Sequence, residues 1–230
     1  MALNLAGEKE EINRKKVFSD RERTNILRKG EQRLILFLLP KVPSFISPNG
    51  MTAIGTVGSI TVLSAFIFAI FFGRAYLLIG LLGLAINWLG DSLDGRLAYF
   101  RETPRKWYGF ALDIMMDWLS IVLIGLGYYF YAPVNWKILG FLFVVFYGWS
   151  MIISLLRYKI IGEYKIDSGN LGPTELRVII ALILISEVFI AGSLNYLAIT
   201  ITILLFVINL IDSIKLLKNG DLRDREEKRS

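Results

Sequence analysis

The stretch Asp91-Ser-Leu-Asp94-Gly95-Arg96-Leu-Ala98-Tyr99, followed after nine residues by Gly109-Phe-Ala-Leu-Asp113-Ile-Met-Met-Asp117, decides how the rest of the chain is read. It holds four carboxylates, two ending one apolar run and two embedded early in the next. Asp91 and Asp94 are three positions apart and Asp113 and Asp117 four apart, so in helices each pair shares a face. Four negative charges aimed at one place in an apolar setting repel one another at great cost, and a cation between them removes that cost. Carboxylate oxygens suit magnesium, manganese or calcium better than zinc or copper.

The surroundings are those of a membrane protein. Hydrophobic residues make up 54% of the 230, Phe alone numbers 15, and several apolar runs approach the roughly 20 residues needed to cross a bilayer. Cysteine and histidine are both absent, which leaves no disulfide, thiolate or imidazole, so a general base must be a carboxylate, a Lys or a Tyr. The expected architecture is all-α, a polytopic membrane protein with six transmembrane helices and an N-terminal amphipathic interfacial helix. The spans are expected near 51–72, 75–90 with a helical continuation to about 100, 107–131, 136–156, 174–191 and 196–217.

Four segments follow from this. Residues 1–23 are charged and lack a signal-peptide pattern, and are expected as a cytoplasmic segment. Residues 24–50 hold the interfacial helix, with Ile26, Leu27, Leu34, Ile35 and Leu38 on one face and Arg28, Lys29, Glu31 and Arg33 on the other, and then a turn rich in proline (Pro40, Pro43, Pro48) with Asn49-Gly50. Residues 51–217 are expected to form a six-helix transmembrane domain that carries the aspartates, the expected catalytic domain, and 218–230 a charged cytoplasmic tail. Gly55, Thr56, Gly58, Ser59 and Ser64 on the first span permit close helix approach.

The net charge of +6 raises the question of nucleic acid, but its placement answers it. Of 26 Lys and Arg, 24 fall at the aspartate end of the spans or in the flanking segments, and only Arg74 and Lys137 lie at the opposite end. The positive-inside rule then puts both termini and the aspartates at the cytoplasmic face of an inner membrane. The excess charge serves topology and anionic lipid, with no nucleic-acid partner.

Two divalent ions held by these aspartates suit transfer of a phosphoryl-type group, neutralising a pyrophosphate and its leaving phosphate. Asp117, deepest along its helix, is the expected base because burial raises a carboxylate's proton affinity. Gly95, Ala98 and Gly109 offer close backbone approach to a flat or phosphorylated ligand.

The pattern Asp91-x-x-Asp94-Gly95-x-x-Ala98, then Gly109-x-x-x-Asp113-x-x-x-Asp117, resembles the signature of the CDP-alcohol phosphotransferase family of integral membrane enzymes. The resemblance extends to Pro48-Asn49 and Thr52 and to the preceding amphipathic helix, and covers about residues 24–217. It implies that Asp91, Asp94, Asp113 and Asp117 form the site of two Mg2+ or Mn2+ ions, with Asp117 as base. It further implies that Asn49, Thr52, Asp94, Gly95, Ala98, Tyr99, Gly109 and Asp113 surround a cytidine nucleotide, and that the enzyme is a homodimer. The reaction implied is transfer of the phosphatidyl group of CDP-diacylglycerol to a polar alcohol, phosphorylated or not, with release of CMP.

Two departures stand out. Tyr99 takes the place of an arginine in the family pattern, and the stretch before Gly109 is one residue longer. Tyrosine has no charge with which to pair phosphate, so Arg96 and Arg101 are the nearby candidates for that task. Arg157, Lys159, Lys165 and Arg177 are candidates, with Arg96 and Arg101, for a phosphorylated acceptor, or else serve topology. Glu187 is expected to pair near the 192–195 hairpin or to line a dimer contact, Asp212 to join the site or pair with Lys215, and Trp88, Trp107 and Trp118 to pack and anchor. The alternatives are phosphotransfer from a soluble CDP-choline or CDP-ethanolamine type donor to diacylglycerol and, in another class, a divalent-cation transporter or a catalytically disabled metal-binding membrane protein. A transporter needs acids along a whole path, whereas here they gather at one end.

Overall fold

A computed structural model describes residues 27–161 and 172–229. The expectations for residues 1–23, for Ile26 and for Lys165 lie outside the described residues. What is described is all-α: α1 (Arg28–Leu38), α2 (Pro48–Phe72), α3 (Leu78–Phe100), α4 (Lys106–Tyr131), α5 (Ile138–Ile161), α6 (Pro173–Phe189) and α7 (Ser193–Glu227). Five of these, α2, α3, α4, α5 and α7, are long and apolar enough to cross a membrane, α3 and α5 together with the short turns that lead into them. This is a multi-span membrane protein. Helix α6 has 17 residues and rises about 26 Å.

The boundaries have local causes. Asn49-Gly50 reads as a turn, yet α2 already begins at Pro48, because Ser47 caps it: the Ser47 Oγ accepts from the Gly50 N–H at 3.0 Å and proline fits the first helical turn. Helix α3 ends at Phe100 with Glu102 at φ 59°, and the Thr103 N–H donates to the Ala98 carbonyl at 2.9 Å. Helix α7 runs 35 residues, about 52 Å, and so continues through the segment read as a charged tail. Two features hold that extension. Arg225 and Asp221 pair at 2.7 Å one turn apart, and the Arg223 guanidinium donates to the last carbonyls of α5, Lys159 at 3.0 Å and Ile160 at 2.6 Å.

Helices α2 and α3 are the tightest pair, packed along most of their length. Glycine against backbone makes this possible: a Cβ on Gly83 would sit 2.7 Å from the Gly58 carbonyl oxygen, and one on Gly90 2.6 Å from that of Met51 while overlapping the Gly55 nitrogen. Gly90→Ala must therefore push the helices apart next to Asp91. Overpacking of this kind costs about 1–3 kcal/mol. Thermal unfolding of the detergent-purified variant is expected to show a clear drop in Tm; an unchanged Tm would refute the close approach.

Helix α1 lies across the aspartate end of this pair. Ile35 and Leu39 are buried with Met51, Leu93 and Leu97, and Leu34 and Phe37 point outward. Glu31, expected on the polar outer face, is instead buried, where it accepts a hydrogen bond from the Ser92 Oγ at 3.4 Å. The start of α1 is tied down by Glu175, whose Oε1 accepts from the Leu27 N–H at 2.9 Å while Oε2 accepts from the Gly172 N–H at 3.0 Å and so caps α6.

At the other end, Glu187 organises the α6–α7 hairpin. Its carboxylate accepts from the Tyr131 hydroxyl at 3.0 Å and from the Gly192 and Leu194 N–H groups at 3.0 and 2.8 Å. Asn195 is bonded separately, by the Tyr128 hydroxyl at 3.0 Å. A buried carboxylate is tolerated here because donors surround it and two are the otherwise unsatisfied amides at the start of α7.

Candidate metal centre

Asp91 and Asp94 project from the last three turns of α3, and Asp113 and Asp117 from the first half of α4. The crossing brings all four to one small space of about 10 Å³, which Thr52, Asn87 and Ser120 also line. Asp91, Asp113 and Asp117 are half-buried, and each offers one carboxylate oxygen within 4.8 Å of the others. Oxygens on opposite sides of a magnesium or manganese ion stand about 4.2 Å apart and around calcium about 4.8 Å, so the trio matches the span of one divalent ion. An all-oxygen donor set selects hard cations of this type. Asp94 lines the same space but is held differently: its Oδ2 accepts from the Thr52 Oγ1 at 2.7 Å and its Oδ1 from the Gly95 N–H.

The trio has a cationic neighbour within the chain. Arg177, in the first turns of α6, places Nη2 at 2.8 Å from the Asp91 Oδ2 and 3.7 Å from the Asp117 Oδ1. Its Nε donates to the Asn87 Oδ1 at 2.7 Å. The Asn87 amide in turn donates to the Gly55 carbonyl at 3.2 Å and to the Ser59 and Ser120 hydroxyls at 2.9 and 3.2 Å. One buried amide thus links α2, α3, α4 and α6 beneath the carboxylates.

Above the centre opens a cleft of about 250 Å³, lined by Asn49, Thr52, Asp91, Asp94, Gly95, Ala98, Tyr99, Gly109 and Asp113 among others. The residues expected around a nucleotide do share one cavity. A Cβ on Gly95 or Gly109 would meet no atom within 4 Å, so neither glycine is needed for packing. Gly95→Ala and Gly109→Ala are therefore expected to leave the Tm within a few degrees of the parent protein while weakening whatever ligand the cleft takes. Paired thermal unfolding and CDP-binding measurements check this, and a fall in Tm like that of Gly90→Ala would contradict it.

The other predicted residues take varied positions. Arg96 is buried and lines the cleft. Arg101 is drawn away from it: its guanidinium donates to the Ile46 carbonyl and to those of Pro43 and Val42 at 2.9 and 3.2 Å, holding the proline-rich turn. Arg157 pairs with Asp212 at 3.5 Å, and Lys215 approaches the same carboxylate at 3.8 Å. Lys159 is exposed near the end of α5, where its carbonyl receives Arg223. Among the expected acceptor residues that are described, Arg177 contacts Asp91 and Asp117.

A second, mostly apolar cavity of about 130 Å³ lies between α4, α5, α6 and α7, walled by residues such as Leu155, Leu176, Ile201 and Leu205, and reaches Asp117. Asp117 thus borders both the carboxylate space and an apolar groove. Sequence reasoning missed Asn87, Ser120, Arg105 and Tyr108; an asparagine inside the apolar run 75–90 was the available signal for the first. No known family's sequence model matches the chain, and no curated protein matches it.

Proposed function

We propose that this protein is a CDP-alcohol phosphotransferase that moves the phosphatidyl group of CDP-diacylglycerol to the hydroxyl of a polar alcohol, phosphorylated or not, and releases CMP. The observation that carries the reading is the stacking of two features: a carboxylate centre fit for a divalent ion forms the floor of an open cleft walled by Gly95, Ala98 and Gly109. Mg2+ or Mn2+ would be held by Asp91, Asp113 and Asp117, and a second ion would draw on Asp94. Bound there, such ions neutralise pyrophosphate oxygens and the departing phosphate.

The chain's own residues account for the rest. Thr52 orients Asp94, and Asn87 and Arg177 fix Asp91. Asp117 accepts the proton of the acceptor hydroxyl as the new oxygen–phosphorus bond forms and the pyrophosphate bridge breaks, leaving CMP with the bridging oxygen. The groove at Asp117 suits an acyl chain, which also favours the reverse allocation: a soluble CDP-choline or CDP-ethanolamine type donor with diacylglycerol as acceptor. We place α6 across the membrane as a sixth span, α1 in the interface with Leu34, Phe37 and the exposed Phe45 toward lipid, and the aspartate end in the cytoplasm of an inner-membrane homodimer.

The test follows CMP release by the purified protein with Mg2+ or Mn2+, from CDP-diacylglycerol with glycerol 3-phosphate, inositol 1-phosphate, inositol, serine or choline, and from CDP-choline with diacylglycerol. Metal-dependent release that needs one acceptor and is lost in Asp117→Asn supports the proposal. A folded, metal-binding protein silent in every arm refutes it.

A further inference from the structure

We propose that Arg105, stacked on Tyr108 and tied to Asn49, is the phosphate-pairing residue at the mouth of the cleft, gripping the diphosphate of the nucleotide from the side opposite the carboxylates. The inference rests on the nucleotide reading above and assigns to it a residue that the sequence did not single out.

Charge sets the requirement. A diphosphate lying over an acidic floor needs positive charge on its outer side as well as at the floor. The neighbouring cations are otherwise engaged or differently placed, Arg96 among them, since it is buried and has contacts of its own. Arg101 is bonded to three backbone carbonyls, Arg177 sits with Asp91 and Asp117, and the Lys106 ammonium lies 5.3 Å from the Trp107 ring centroid. Tyr99 lines the wall without charge.

Arg105 is both available and preorganised. It is exposed on the cleft wall in the link just before α4. Its guanidinium carbon stands 4.0 Å from the Tyr108 ring centroid, and its Nη2 donates to the Asn49 Oδ1 at 2.7 Å. The Asn49 Nδ2 donates in turn to the Tyr108 hydroxyl at 3.1 Å, so the three side chains form one closed unit bridging the starts of α2 and α4. A guanidinium carries five N–H donors, and the bond to Asn49 uses one, which leaves others for phosphate oxygens. Stacking and the Asn49 bond restrict its rotamers, so less freedom is lost on binding.

The test measures the Kd of CDP and of inorganic pyrophosphate for the full-length protein in detergent with Mn2+, at several salt concentrations, alongside Mn2+ binding alone by paramagnetic resonance. Arg105→Gln is expected to weaken both ligands about tenfold or more and to flatten the salt dependence, with Mn2+ binding and Tm unchanged. Arg105→Lys, which keeps the charge without the planar fork, is expected to fall between; it also serves if the glutamine variant is unstable. CDP affinity unchanged in both variants overturns the inference and leaves the nucleotide reading standing. Arg105-dependent binding of pyrophosphate without CDP binding keeps Arg105 as a phosphate-pairing residue and overturns its assignment to a nucleotide. Binding of neither ligand by the parent protein overturns both.

Discussion

Asp113→Asn is expected to lower metal-dependent CMP release at least about a thousandfold. Asp113 belongs to the trio whose oxygens lie within 4.8 Å of one another, and it borders both the small carboxylate space and the cleft above it. Asparagine keeps the volume and removes the charge, so the helices have no reason to move while the affinity for a hard cation falls. A bound ion contributes several kcal/mol to stabilising charge in such transfers, and each 1.36 kcal/mol is a factor of ten in rate. Paramagnetic resonance with Mn2+ is expected to show weakened binding in the same variant. Activity within tenfold of the parent would remove Asp113 from the centre.

Arg177→Ala is the second large effect, and its direction depends on what else is bound. The guanidinium is mostly buried and bridges Asp91 and Asp117, so its removal takes a shared positive charge from two neighbouring carboxylates. Breaking one side of a buried pair costs about 3–5 kcal/mol. A divalent ion supplies the missing charge, so added Mn2+ is expected to raise the Tm of Arg177→Ala by clearly more than that of the parent protein. Titration of Tm with Mn2+ and with an equal concentration of NaCl decides the matter. Equal shifts in the two proteins would mean that Arg177 and the metal do not share the same carboxylates.

The spans were legible because apolar runs near bilayer length admit few other structures, and the start of α6 was marked by Pro173, whereas Pro48, read as part of a turn, opens α2. The extension of α7 was not, since residues 218–230 read as a charged tail. The helix continues into it because Arg223 is bonded to the end of α5, a tertiary contact with no local signature. The gathering of Asp91, Asp113 and Asp117 could be read from two helical spacings and a shared membrane depth. The approach of Arg177 could not, because the rotation of α6 is set by Asn87 and by the cap at Glu175. Arg101 shows the converse: close in sequence to the motif, it is spent on backbone carbonyls of another segment.

Asn87 has a consequence for how such a bundle finds its shape. Helices in lipid gain little by turning one apolar side rather than another toward a neighbour, since the tails are as apolar as leucine. A single amide whose oxygen and nitrogen must both be satisfied behaves like a key in a four-part lock: Gly55, Ser59, Ser120 and Arg177 meet it together only at one rotational setting of each helix. The spacing of the carboxylates one turn above is then fixed by assembly itself, before any ion arrives.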